Sequence, residues 1–259
     1  MEPISTTLPT EANPTVYYRG GQGDAVLALH HLAGMQGWEP LHAALAEQFE
    51  VIAPFHPGFG PTADATDFRN ELDLVLHYRA LLDELGVERV HVLGHSIGAW
   101  IGAELAAIYP ERVERLMLLN PVGIWDDELR GEDPYAQPPM AATAVLLADP
   151  ERRDELILRH GEVDATENYV QEMKDLKASA RFLWPVPDTG VARRLPLIKA
   201  PTLIVTSTND RVVPAAYGDV WKRHIANAST VTIDGGHLVN LEDPARVASM
   251  AANFFRGAE

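Results

Sequence analysis

The run Val90-His91-Val92-Leu93-Gly94-His95-Ser96-Ile97-Gly98-Ala99 decides how the rest of the chain is read. Val90 to Leu93 is a short β-branched run of the kind that makes a buried strand. Ile97, Ile101, Leu105 and Ile108 then recur at helical spacing until Pro110 stops them. Between the two stands Gly-x-Ser-x-Gly. On its own this is a short pattern that chance produces often, and the strand before it and helix after it are what give it meaning. A strand that turns straight into a helix forces Ser96 into strained backbone angles and pushes its hydroxyl out over the sheet edge, which only small neighbours such as Gly94 and Gly98 permit. The helix starting at Ile97 aims amide N–H groups and the positive end of its dipole at any negative charge that develops there. Ser96 is therefore the candidate nucleophile.

Working outward, β-branched runs at Val26 to His30, Val51 to Ala53, Leu116 to Leu119, Leu203 to Thr206 and, more weakly, Val231 to Ile233 alternate with helical patterns. Leu74, Tyr78, Leu81, Leu82 and Leu85 form one such stripe, closed by Gly86. Val247, Met250, Ala251 and Phe254 form another, opened by Asp243-Pro244. This alternation predicts an α/β fold, a mostly parallel central sheet with helices on both faces, with Val16 to Tyr18 as an early antiparallel strand. From Ile124 to Pro196 the alternation stops. The stretch is rich in proline (Pro134, Pro138, Pro139, Pro150, Pro185, Pro187), and about 70 residues between two core strands need a structure of their own. The expected organisation is a core of residues 1–123 and 197–259 with a helical lid inserted at 124–196.

A net charge of −16 disfavours nucleic acid as a partner, because that binding rests on clustered Lys and Arg. There is no cysteine, hence no disulfide. Met1 to Pro14 reads as a loose arm with neither a basic nor an apolar leader region, and no apolar run approaches the roughly 20 residues of a membrane helix, so a cytoplasmic protein without membrane contact is expected. Oligomeric state is open at this stage.

A serine hydroxyl needs a base within hydrogen-bond reach and a third group to hold that base in one tautomer. Of the ten histidines, His237 alone combines a late position with a glycine-rich strand exit, Ile233-Asp234-Gly235-Gly236-His237. Asp210 lies in Ser207-Thr208-Asn209-Asp210-Arg211, just past a buried strand, where sites on parallel sheets gather. Asp126 and Asp127 are rival acids. Asn120 cannot carry charge, and Asp234 stands too near His237 along one strand. His30, His56 and His95 are expected to be structural.

Gly94 to Gly98, the Asp210 loop, the Gly236-His237 loop and the Pro57-Gly58-Phe59-Gly60 turn together resemble the α/β-hydrolase superfamily over nearly the whole chain, in particular its lid-bearing serine esterases. The resemblance implies an oxyanion hole made by the backbone amides of Leu32 and Ile97. Two such donors contribute roughly 3 kcal/mol of barrier lowering each. Similar proteins usually carry His-Gly where this chain has His30-His31, so His31 is either a packed loop residue or a residue that lines the pocket and touches substrate. Trp125 and Trp184 are the other pocket candidates, within an apolar lid set that includes Tyr135, Met140, Leu146, Leu147, Phe182 and Leu183. The implied function is hydrolysis of small carboxylic esters through an acyl-enzyme on Ser96, needing no metal or organic cofactor and taking a small-molecule acyl substrate. Activity should rise with pH as the base sheds its proton. Two alternatives stay open. One is a carbon–carbon bond hydrolase of vinylogous diketone acids, which Asp210-Arg211-Val212-Val213-Pro214 also resembles, although His95 stands where that branch has Asn and only Arg181 offers a carboxylate contact. The other is a non-catalytic ligand receptor on the same fold.

Overall fold

The computed structural model describes residues 1–8, 14–62, 68–157, 164–184 and 188–257. The side chain of Met140 and residues Pro185 and Pro187, counted above with the lid, lie outside that set. In chain order the elements are β1 (Ile4–Thr7), β2 (Pro14–Gly20), β3 (Ala25–Leu29), α1 (Pro40–Leu45), β4 (Glu50–Pro54), α2 (Glu71–Glu84), β5 (Val90–His95), α3 (Ile97–Ile108) and β6 (Val113–Leu119). Then come α4 (Pro139–Ala144), α5 (Arg153–Leu156), α6 (Ala165–Leu183), β7 (Thr202–Ser207), α7 (Tyr217–Lys222), β8 (Ala228–Ile233), α8 (Val239–Glu242) and α9 (Pro244–Phe255).

The sheet has the order β1-β2-β4-β3-β5-β6-β7-β8, antiparallel at β1/β2 and β2/β4 and parallel from β4 onward. Period-two alternation divides its side chains between two cores. Val92, Leu116 and Leu118 pack with Leu81, Ile101 and Leu105 of α2 and α3, whereas Leu93, Met117 and Leu119 pack with Leu45, Val247 and Phe255 of α1 and α9. Helix α3 is buried along nearly its whole length, which is why its sequence is apolar on every side.

One expectation is corrected at the amino terminus. The arm read as loose contains β1, whose residues Ile4 to Thr7 pair antiparallel with Tyr17 to Pro14 of β2. A four-residue edge strand with three exposed side chains shows no hydrophobic alternation, so its pairing comes from backbone hydrogen bonds and β-branched residues that sequence patterning does not register.

Among the described residues, 124–196 adds no strand to the sheet. Its helices are tied together by a buried polar network. Glu172 of α6 accepts from Arg153 of α5 and from the Thr143 hydroxyl of α4, and Arg153 Nε donates to Thr143 Oγ1 at 2.9 Å. Asp175 of α6 reaches the core, accepting the Gly60 amide at 3.0 Å.

Candidate active site

Chain connectivity sets the location. β3 lies between β4 and β5: the chain passes from β3 to β4 on one side, then crosses to β5 and on to β6 on the other, and parallel sheets place their sites at the carboxyl ends of the strands where the direction switches. Ser96 stands there, between the end of β5 and the first residue of α3, with φ 56° and ψ −116°. A non-glycine residue in that region is strained. The flanking glycines explain how the turn closes: a Cβ on Gly94 would stand 2.4 Å from the Gly98 carbonyl oxygen, and one on Gly98 would stand 2.3 Å from that of Leu29. The start of α3 is thereby pressed against the end of β3.

The loops after β7 and β8 bring the other two candidates to the serine. His237 Nε2 lies 2.8 Å from Ser96 Oγ, and His237 Nδ1 lies 2.7 Å from Asp210 Oδ2. Asp210 Oδ1 accepts the amides of Val212 and Val213 at 2.9 and 2.8 Å, which fixes the carboxylate and leaves Oδ2 for the imidazole. With Nδ1–H given to the carboxylate, Nε2 is the acceptor for the serine hydroxyl. All three side chains are buried.

The backbone of His237 is held as firmly as its ring. His95 Nε2–H donates to its carbonyl at 2.6 Å and Asn120 Nδ2 at 2.9 Å, while Glu242 accepts the Gly236 amide at 2.6 Å and the Ala148 amide at 2.7 Å. The Leu238 amide donates to the Leu146 carbonyl at 2.9 Å. Burial drives the His95 pKa well below its ordinary value, so its ring stays neutral and acts as a hydrogen-bonding strut. Nothing in the sequence marks Asn120 or Glu242 for this role: Asn120 carries no charge, and Glu242 finds its purpose only when residues 146–148 fold against it.

Ile97 is the first residue of α3, and its amide is one of the first-turn donors that no helical carbonyl can take up. Leu32 follows β3 in a turn closed by the Gly34 amide on the His31 carbonyl at 3.1 Å. That turn is clamped from below. His30 Nδ1 donates to the His31 carbonyl at 2.8 Å, His30 Nε2 accepts the His56 amide at 2.9 Å, and His56 Nε2 donates to the His30 carbonyl at 2.8 Å. The Tyr78 hydroxyl completes the set on His56 Nδ1. Burial lowers the His30 pKa well below normal and that of His56 to about 3, as neutral hydrogen-bonding rings require.

His31 is buried beside this turn. Trp125 and Trp184 are not brought together: Trp125 lines a cavity of about 260 Å³ with Val122, Ile124, Leu129, Val213 and Tyr217, and Trp184 lines another of about 340 Å³ with Tyr135, Met173 and Leu176. Ser96 and His237 line neither. The rival acids serve local turns, Asp126 accepting the Glu128 amide and Asp127 the Trp125 indole, and Asp234 ties down Thr208 and Asn209. The Arg181 guanidinium donates to the Phe68 carbonyl at 2.6 Å. Among the described residues no cluster of three or more His, Asp or Glu could hold a metal ion, and no helix is long and apolar enough to cross a membrane.

Known proteins agree with this architecture. The chain is 28% identical over 265 residues to a 2-hydroxy-6-oxo-6-phenylhexa-2,4-dienoate hydrolase of Comamonas testosteroni, covering 93% of this chain and 90% of that one. It is 30% identical over 253 residues to the dihydrolipoyllysine-residue acetyltransferase component of an acetoin cleaving system from Pseudomonas putida, covering 92% of this chain but 65% of that one. A serine hydrolase structure from the polyaromatic hydrocarbon-degrading bacterium Cycloclasticus zankles superposes with a TM-score of 0.80 at 20% identity, over 99% of this chain and 98% of that one, which speaks to fold alone. The model of the alpha/beta hydrolase family matches residues 26–250. The chain belongs to the alpha/beta hydrolase family.

Proposed function

We propose that the chain is a serine hydrolase of small carboxylic esters, with Ser96 as nucleophile, His237 as general base and Asp210 as the residue that orients His237. The observation that carries this reading is the continuous hydrogen-bonded chain from Ser96 Oγ through the His237 ring to Asp210 Oδ2, at 2.8 and 2.7 Å. Ser96 Oγ attacks the acyl carbonyl while its proton passes to His237 Nε2. The oxyanion is met by the Leu32 and Ile97 amides. Collapse expels the alcohol, protonated by His237, and water then hydrolyses the acyl-enzyme by the same steps in reverse. Residues 124–196 form the lid over the core of 1–123 and 197–259.

Similarity to the dienoate hydrolase of Comamonas testosteroni favours a second reading, cleavage of a carbon–carbon bond in a vinylogous diketone acid. Such a substrate brings a carboxylate that needs a cation. Among the described arginines of residues 124–196, Arg153 is paired with Glu172 and Arg194 with Glu104, while Arg181 donates to the Phe68 carbonyl and keeps its charge as the candidate carboxylate contact. The test pairs short-chain aryl esters with a ring-cleavage dienoate, alongside fluorophosphonate labelling of Ser96. Ester turnover that vanishes in Ser96→Ala upholds the proposal. Loss of dienoate absorbance without ester turnover replaces it with the second reading, and no labelling at all points to a receptor.

A further inference from the structure

His31 is 2% exposed, yet among the described residues neither ring nitrogen has a hydrogen-bond partner. The other imidazoles near the site differ: His30 and His56 engage partners through both ring nitrogens, and His95 through Nε2 alone. His31 packs edge-on to His95 with ring centroids 5.1 Å apart, and the His95 ring is 5.6 Å from that of His237. In sequence it sits directly before Leu32, in the turn against which the start of α3 is pressed. A polar ring with an unpaired donor and an unpaired acceptor is thus buried one residue before Leu32 and one ring away from His237. Most buried side-chain polar atoms in folded proteins are hydrogen-bonded to protein or ordered water, and His31 is the one side chain among the described residues with two such atoms unpaired, which suits it to a partner arriving from outside.

We propose that His31 contacts the substrate and sets specificity by hydrogen-bonding an uncharged oxygen, an ether, hydroxyl or keto group, carried on the acyl chain within a few bonds of the scissile carbonyl. The inference rests on the ester reading above and deepens it by naming the acyl class. An uncharged oxygen is favoured over a carboxylate by the surroundings. Burial, and then the charges that His237, His56 and His42 would add, hold the His31 pKa at about 3, so the ring offers one donor and one acceptor without positive charge.

The test uses methoxyacetic and butyric acyl groups, which have equal chain length and differ by an oxygen in place of a methylene. Their 4-nitroanilides are titrated calorimetrically into the full-length Ser96→Ala protein, and their 4-nitrophenyl esters are given to the wild type. Ser96→Ala should bind the methoxyacetyl anilide about tenfold more tightly than the butyryl one, the size of one well-made hydrogen bond. Adding His31→Phe should erase the difference, and His31→Asn, which keeps a donor and an acceptor, should restore part of it. His31→Gly replaces His31→Phe as the ring-less variant if the phenyl ring prevents folding. Equal binding by Ser96→Ala, or a preference that survives loss of the imidazole, overturns the proposal. Failure of the wild type to turn over either ester, with the binding preference present and dependent on His31, removes the ester reading and leaves the His31 contact standing.

Discussion

The Nε2 of His95 lies 2.6 Å from the carbonyl oxygen of His237. The residue just before the nucleophile therefore fixes the backbone of the residue that is to take the nucleophile's proton. Asn120, just after β6, supports the same carbonyl at 2.9 Å. The ends of β5 and β6 thus converge on a peptide group in the loop after β8, which keeps the imidazole at hydrogen-bond distance from Ser96.

His95→Ala should consequently reduce kcat by about 10- to 100-fold, in line with the sensitivity of reaction geometry to displacements near 1 Å. Because the effect is on positioning, KM should move less than kcat. Steady-state kinetics on an aryl ester, with circular dichroism to verify folding, measures the split. A change confined to KM would show that His95 does not act through His237.

Asp210→Asn keeps the shape of the side chain but can offer an N–H where the His237 Nδ1–H now points. The ring would then turn to the wrong tautomer and lose its acceptor at Nε2, with kcat falling by about 10⁴. Residual activity within tenfold of wild type would shift the orienting role to another acid.

How far this arrangement could be read from sequence depends on the range of the interactions. Strands β3 to β8 and helices α2, α3 and α9 are legible because period-two and helical stripes sort their residues onto two cores. Ser96 is legible because its strain needs two glycines at fixed spacing. His237 and Asp210 follow from positions just beyond strand ends. The pairing of β1 is not legible, since exposed side chains carry no pattern, and neither is the grip of Glu242 on Gly236 and Ala148, which joins residues 94 positions apart in one of its two contacts. Trp125 and Trp184 show the same limit from the other side. Both are large and apolar, as pocket residues often are, but the path of residues 124–196 assigns them to separate cavities.

Gly98→Ala tests the elbow as packing. Its Cβ would stand 2.3 Å from the Leu29 carbonyl oxygen and 2.6 Å from that of His30, backbone atoms that cannot move aside without shifting β3. A loss of about 3 kcal/mol or more in unfolding free energy is expected, at the upper end of overpacking costs. Urea titration of Gly98→Ala against wild type reads it directly. A variant as stable as wild type would mean that the start of α3 can retreat from the sheet.

Acid should destabilise the protein from about pH 6.5 downward. Burial lowers the pKa of His31 and His56 to about 3 and of His42 to about 4, and drives those of His30 and His95 well below the ordinary value. In the unfolded chain these rings protonate near pH 6.5. As pH falls through 6.5 the unfolded state takes up protons that the folded state refuses, so the stability is present above that pH and is lost towards pH 4. Each ring that stays neutral in the fold contributes up to about 1.4 kcal/mol per pH unit, so several acting together weigh heavily against a total stability of roughly 5–15 kcal/mol. Glu39 opposes them: burial raises its pKa to about 7, so it stabilises the fold as pH falls from 7 towards its ordinary value, but it counts for one proton against five. The net expectation is a urea midpoint that drops steeply from pH 7.5 to pH 5, and more steeply still, by about one proton, in Glu39→Gln. Equal midpoints at the two pH values would mean that these histidines reach solvent in the folded protein.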